Sequence, residues 1–290
     1  DLDTLPFPDR RLYARKYPSL IKSQKVFLAG RGCPFSCAFC FNASLKNLYK
    51  EKGCYVRLRS VDNLIREIKE VQNKHNLRIV YIQDDTFALN KSWANEFLEN
   101  YREEVKLPFI CLLRADLIDE KLIRALKQAG CKNVFFGIET GSEKLRKFLL
   151  KKEITDKQIC RSAGLLKKYK IKFRTYNMFG LPNETLDDAF RTVELNIKIK
   201  TDYPWSSILQ PFPGTELGDY ARQQNLIEVD TVYFETSFFK KSSIQLINKR
   251  EIENLHKIFF FAVKLPFLFP LIKLIIRKKF ILPYNLLFLA

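Results

Sequence analysis

"KVFLAGRGCPFSCAFCFN", residues 25 to 42, carries two messages in one stretch. Its first six residues form a short β-branched and aromatic run of the kind that makes a buried strand. Directly after them Cys33, Cys37 and Cys40 follow a CxxxCxxC spacing, whereas the other four cysteines are scattered singly. A strand that runs straight into a ligand-rich loop places chemistry at its C-terminal end, which is where parallel α/β folds build their sites.

Working outward, five more runs read as strands: "RIVYIQ" (78–83), "PFICLLR" (108–114), "NVFFGIE" (133–139), "IKFRTYNMF" (171–179) and "WSSILQPF" (205–212). Amphipathic helices separate them. Ser60 can cap one that puts Val61, Leu64, Ile65, Ile68 and Val71 on a single face, and Asp119 can open another through Leu122, Ile123 and Leu126, stopped at Gly130. Six strand-helix alternations call for parallel pairing, because parallel neighbours need a helix-length crossover. The expected fold class is therefore α/β, a partial or open (β/α)6 TIM-like barrel with a mainly helical C-terminal extension.

At 290 residues, with 47% hydrophobic and 13% aromatic content, the chain can bury a large core and fits no disordered or fibrous class. Seven cysteines, odd in number and without a small-domain framework, suit a reducing compartment, so a cytoplasmic protein is expected. The net charge of +18 suits an anionic partner, but no RRM, homeodomain or zinc-finger pattern accompanies it, and no specific nucleic acid is predicted.

The strand ends gather polar groups. The second strand leads to Asp84 and Asp85, the third to Arg114 and Asp116, the fourth to Glu139, the fifth past Arg174 and Asn177 to Gly180, and the sixth to Gln210. Each has an ordinary explanation as a cap or a rim charge. Cys54, Cys111, Cys131 and Cys160 read as small buried fillers. The trio reads otherwise. Zinc wants four ligands, and His75 and His256 lie far away in helical contexts, so zinc is disfavoured. Three thiolates suit an iron-sulfur cluster with one iron left open to an exogenous molecule.

"CPFSCAFC" resembles the cysteine signature of radical S-adenosylmethionine enzymes, with Phe39 at its aromatic position. "YIQDDTF", "RADLIDEKLIRALKQAGCKNVFFGIETGSEKL", "FGLPNETLDDAFRT" and "LQPFPGTELGDYARQQNLI" follow in the order of the blocks of the cobalamin-dependent subgroup. The resemblance implies that Cys33, Cys37 and Cys40 hold a 4Fe-4S cluster whose open iron takes S-adenosylmethionine. It further implies that Asp84 or Asp85 accepts the cofactor's amine, that Glu139 accepts ribose hydroxyls, and that Gly180, Pro182 and Glu184 lie near adenine. Arg114 and Arg174 are candidates for the methionine carboxylate. No catalytic acid or base is assigned.

The division expected is 1–24 as a connector resembling the exit from a cobalamin-binding domain, 25–230 as the radical SAM barrel and 231–290 as a basic, apolar extension. Cobalamin would come through an N-terminal domain missing from this sequence. The expected function is reductive cleavage of S-adenosylmethionine leading to methylation or carbon-skeleton modification of an unactivated carbon. The rivals are a cobalamin-independent radical enzyme, a non-catalytic iron-sulfur electron carrier and a metal-stabilised nucleic-acid module. Implied partners are a one-electron reductant such as flavodoxin or ferredoxin and a small-molecule or lipid-like substrate.

The tail, "HKIFFFAVKLPFLFPLIKLIIRKKFILPYNLLFLA" (256–290), is apolar, but its uncharged stretches are too short to cross a bilayer, which takes about 20 consecutive apolar residues. The favoured reading packs Phe259, Phe260, Phe261, Leu265, Phe267 and Leu268 against the barrel or the missing domain. The other makes the tail a peripheral membrane contact, with Lys273, Arg277, Lys278 and Lys279 on anionic lipid.

Overall fold

The computed structural model describes residues 1–11, 23–227 and 237–278. Most of the connector's second half, residues 228–236, and the end of the tail with Lys279 lie outside the described residues. All six expected strands are present: β1 (Gln24–Phe27), β4 (Ile79–Ile82), β5 (Phe109–Leu112), β6 (Cys131–Glu139), β7 (Lys172–Phe179) and β8 (Tyr203–Ile208). They form one sheet in the order β1-β4-β5-β6-β7-β8, the order of consecutive strand-helix units. A two-residue antiparallel pair, β2 (Gly30–Arg31) with β3 (Arg57–Leu58), follows β1.

The chain forms two compact units. The first comprises Asp1–Pro34, Tyr49–Phe135 and Leu165–Lys172. Here β1 pairs with β4 in parallel, Phe27 opposite Ile82, and β4 with β5, Ile82 opposite Cys111. Helix α2 (Val61–Lys74) starts where Ser60 accepts from the Asn63 amide, and its Leu64, Ile65 and Ile68 are buried. On α3 (Lys91–Glu104), Trp93, Phe97 and Tyr101 recur at helical spacing and stack in series, with Tyr101 closing on Phe109 of β5 at 4.9 Å. Asp119 caps α4 (Glu120–Gln128) through the Leu122 amide, and Gly130, at φ +90°, ends it as expected. Cys111 and Cys131 are buried fillers, but Cys54 is exposed and that expectation is corrected: it sits in a surface turn with its thiol toward the Val56 carbonyl.

The second unit comprises Phe35–Leu48, Phe136–Gly164 and Phe173–Ala290. It includes α1 (Phe41–Leu48), α5 (Asp156–Lys168), α6 (Leu186–Lys198), α7 (Glu216–Gln223), α8 (Lys249–Lys264) and α9 (Phe269–Ile275). Thr185 and Asp188 form a reciprocal capping box on α6. One face of β7 alternates Phe173, Thr175, Asn177 and Phe179 into the interior. Asn196 of α6 ties to Thr175 and Asn177 (2.7 and 2.8 Å), while Phe179 packs with Phe190, Ile208, Leu255 and Phe259. The favoured packing of the tail thus holds for Phe259, but Phe260, Leu265 and Phe267 are exposed. They fall on the side of the α8–α9 connection away from that core. No helix among the described residues is long and apolar enough to cross a membrane.

Candidate functional site

In the first unit the polar groups gather after β1 and β4, parallel neighbours whose ends lie side by side. Asp84 follows β4 by two residues, and its Oδ1 accepts from the amides of Ala29 (2.7 Å) and Gly30 (3.2 Å). Asp84 is only 5% exposed, and Oδ2 has no hydrogen-bond partner among the described residues. Burial pushes the carboxyl up to about 6 against the pull of the two amides. Asp85 points outward and is exposed, so of the two it is Asp84 that faces inward. Gly32, at φ +84°, precedes the first cysteine, and a Cβ there would lie 2.5 Å from the Tyr55 carbonyl oxygen. Only glycine lets the loop carrying Cys33 pass that close. Arg114 grips Asp116 with two parallel bonds of 3.1 Å, an internal bidentate pair.

In the second unit Cys37 and Cys40 form a tight turn, the Cys40 amide bonding the Cys37 carbonyl at 3.0 Å, and α1 begins immediately after. Ala38, between them, is held at both its backbone groups. Its N–H donates to Leu150 and its carbonyl accepts from Leu217 (2.9 and 2.8 Å). Phe39 lies half-buried against the cluster that holds Leu150, Leu181, Leu209 and Leu217. The same cluster thus joins the cysteine turn to the segment after β7, where Gly180 adopts φ +80°. Glu184 braces that segment by accepting from the amides of Gly180 (2.6 Å) and Leu181 (3.1 Å). It is buried, which drives its carboxyl up to about 8, and Oε1 has no hydrogen-bond partner among the described residues.

Glu139 ends β6 in the left-handed region at φ +67°, an unfavourable conformation for a residue with a side chain. Its carboxylate folds back over Gly137, where a Cβ would fall 1.9 Å from Oε1, and meets the buried Lys152 ammonium at 2.6 Å. Arg146 supports this corner from beneath. Wholly buried, it donates to the carbonyls of Ile138, Thr140 and Ile154 and to Asp156. Neither Lys152 nor Arg146 is recognisable from the sequence, since nothing in "LRKFLLKKE" separates these two from their solvated neighbours.

Arg174 lies inside the fifth strand, as the 171–179 run has it. It is the third residue of β7, five short of the strand end, a distance of about 17 Å along the strand. There its guanidinium lies 5.4 Å over the Trp205 ring. Asn177 is absorbed by the α6 network, and Gln210 bonds the Lys241 carbonyl and the Ser243 hydroxyl.

All seven cysteines are thiols. Among the described residues no group of three or more His, Cys, Asp or Glu side chains is arranged to hold a single metal ion. A 4Fe-4S cluster does not ask for that, since its thiolates bind separate irons. The donor set, three cysteines and no fourth ligand nearby in sequence, fits such a cluster.

The model of the radical SAM superfamily matches residues 27–195, more than half of the chain. The chain belongs to the radical SAM superfamily, enzymes that use a 4Fe-4S cluster and S-adenosylmethionine. Among curated proteins it is similar to an uncharacterised methyltransferase of Pyrococcus horikoshii, 30% identical over 229 residues, which are 78% of this chain and 48% of that protein. It is also similar to the anaerobic magnesium-protoporphyrin IX monomethyl ester cyclase of Rubrivivax gelatinosus, 27% identical over 233 residues (76% and 40%). The chain spans less than half the length of these relatives. In fold it is similar to TsrM of Kitasatospora setae, a radical S-adenosylmethionine methyltransferase solved with tryptophan and a cofactor analogue. The TM-score is 0.63 at 19% identity, over 77% of this chain and 42% of that one.

Proposed function

We propose that this chain supplies the radical-initiating part of a cobalamin-dependent methyltransferase acting on an unactivated carbon. The observation that carries the cofactor assignment is the unpartnered, buried Oδ2 of Asp84 beside the amides of Ala29 and Gly30, three residues before Cys33. A buried anion with one oxygen unused is a receptor for a cation, and the α-ammonium of S-adenosylmethionine is such a cation.

In this reading Cys33, Cys37 and Cys40 ligate the cluster. When bound, the cluster and S-adenosylmethionine supply one-electron cleavage of the sulfonium and a carbon radical able to take hydrogen from an unactivated carbon. The protein's own residues position and exclude. Asp84 takes the ammonium, and Glu139, its charge already balanced by Lys152, accepts neutral hydroxyl donors of the ribose. Gly180, without a side chain, admits the adenine close to backbone, and Phe39 gives it an apolar wall. Arg114, tied to Asp116, is a candidate for the methionine carboxylate.

Methyl transfer is supported by the P. horikoshii relative and by the fold shared with TsrM, one structure of which holds cobalamin and a 4Fe-4S cluster. The cyclase relative supports carbon-skeleton modification as a second reading. The electron source called for is a small reductant of the flavodoxin or ferredoxin kind. Anaerobic reconstitution with iron and sulfide, followed by reductant, S-adenosylmethionine and cobalamin, tests the proposal. 5′-Deoxyadenosine together with S-adenosylhomocysteine is the expected pair of products. 5′-Deoxyadenosine alone moves the assignment to the cyclase-like reading, and neither product overturns both.

A further inference from the structure

The tail resolves into two faces of opposite fate. Along α9, Phe269, Ile272 and Ile276 recur at helical spacing and turn inward onto Phe190, Ile252 and Phe259. A surface helix with one buried apolar stripe ordinarily shows a polar opposite face. Here the opposite face is Phe267 (75% exposed), Leu271 (52%), Leu274 (63%) and Ile275, with Phe260 and Leu265 exposed just before them. Six large apolar side chains exposed within sixteen residues are a patch, not the scattered single exposures normal for a surface.

The charges within the tail itself are all of one sign. From Asn254 to Ala290 the sequence contains Lys257, Lys264, Lys273, Arg277, Lys278 and Lys279 and no Asp or Glu. Arg277 and Lys278 are exposed, and Lys264 is exposed with its ammonium donating to the carbonyls of Thr201 and Asp202 (3.4 and 3.3 Å). Lys273 is committed inward, bonding Glu194 at 3.1 Å and lying over the rings of Phe190 and Phe269, and so pins the helix. Asn254 of α8 holds the Ile276 carbonyl at 2.9 Å, and Arg250 the Arg277 carbonyl at 3.2 Å. The patch is therefore presented on a fixed platform.

We propose that this face docks on an anionic bilayer surface, its aromatic and leucine side chains entering the headgroup boundary and Arg277 and Lys278 meeting lipid phosphates. An apolar face whose own segment carries cations and no carboxylate, with Glu194 of α6 and Glu251 of α8 each paired to a cation, is complementary to that boundary, where each basic residue adds about 1 kcal/mol near the surface. The sequence after Lys279, "FILPYNLLFLA", continues the same composition. The proposal is independent of the reaction assigned above.

Cosedimentation of the full chain with vesicles of phosphatidylglycerol and phosphatidylcholine tests it, against vesicles of phosphatidylcholine alone. Binding to the anionic vesicles is expected, falling with added salt. Arg277→Glu combined with Lys278→Glu is expected to weaken it about thirtyfold or more. Phe267→Ser combined with Leu271→Ser and Leu274→Ser is expected to remove it. Only exposed side chains change, and a thermal melt checks folding. If the apolar variant fails to fold, the charge variant decides alone. Binding that survives the charge reversal overturns the proposal. So does self-association abolished by the apolar variant in the absence of vesicle binding, which would make the face an interface between copies.

Discussion

The end of β4 and the end of β6 each offer one buried carboxylate, and they differ in what neutralises it. Asp84 has two backbone amides on one oxygen and nothing on the other, and its proton affinity is raised. Glu139 has a lysine within 2.6 Å. Amides are dipoles and relieve only part of a buried charge, whereas an ammonium balances it outright. The two sites therefore suit different visitors: the first a cation, the second a neutral donor. S-Adenosylmethionine carries both, an ammonium at one end and ribose hydroxyls toward the other.

The largest effect expected is on the cluster ligands, without which neither carboxylate has a cofactor to receive. Cys33→Ala, Cys37→Ala or Cys40→Ala should each abolish cofactor cleavage and lower iron content, while Cys160→Ala should change neither; iron analysis beside product chromatography reads this out.

Removing the lysine would turn the second site into a copy of the first. Lys152→Met leaves Glu139 buried without its counter-ion and should cost about 3 to 5 kcal/mol of stability at neutral pH. Glu139→Gln in the same chain should restore most of it. Denaturant titrations of the single and double variants beside the parent measure both. A Lys152→Met protein as stable as the parent would mean that Glu139 never needed balancing.

Asp84→Asn removes the unbalanced charge and keeps an oxygen for the Ala29 and Gly30 amides. A carboxyl raised from 3.8 to about 6 contributes stability that is fully present below about pH 4 and lost as pH rises through 6. The parent should therefore become less stable over that window, and the variant should escape this loss, gaining on the order of 1 to 3 kcal/mol at pH 7.5. Glu184, raised to about 8, adds a fall of the same sign that continues to higher pH in both proteins. The variant should bind S-adenosylmethionine about tenfold more weakly by calorimetry. A more stable protein with unchanged affinity would break the assignment of Asp84 as the ammonium receptor.

The smallest effect is expected at Arg174. Far from the end of β7 and engaged with Trp205, it should give up about 0.5 to 1 kcal/mol of stability when changed to alanine, and less than a twofold change in cofactor affinity. A large loss of affinity would return it to the site.

These contrasts also mark what the sequence carries. Strands such as "RIVYIQ" and "NVFFGIE", and the caps at Ser60 and Asp119, are written in local pattern, and the structure has them where the pattern puts them. The run "IKFRTYNMF" puts Arg174 inside β7, but not its guanidinium over the ring of Trp205 on the neighbouring strand. Lys152 and Arg146 lie in a run of charge that reads as a solvated surface, because lysine and arginine are seldom buried unless something distant pairs them. Their partners, Glu139 and the carbonyls around Thr140, become apparent only once the segment after β6 folds against the strand end. The backbone of Glu139 is the clearest case: a left-handed residue that is not glycine leaves no local signature, and the clue lies two positions earlier, at the Gly137 its carboxylate covers.

Ala38 has no reactive group, yet it bears on what would follow if oxygen stripped a cluster from the proposed ligands. Stitched by its N–H to Leu150 and by its carbonyl to Leu217, it fixes the turn between Cys37 and Cys40 through protein hydrogen bonds alone. A cluster stripped by oxidation would then take the metal away without dismantling the turn that received it. Repair becomes a matter of delivering iron, sulfide and electrons to a standing socket, with no segment of chain to refold first.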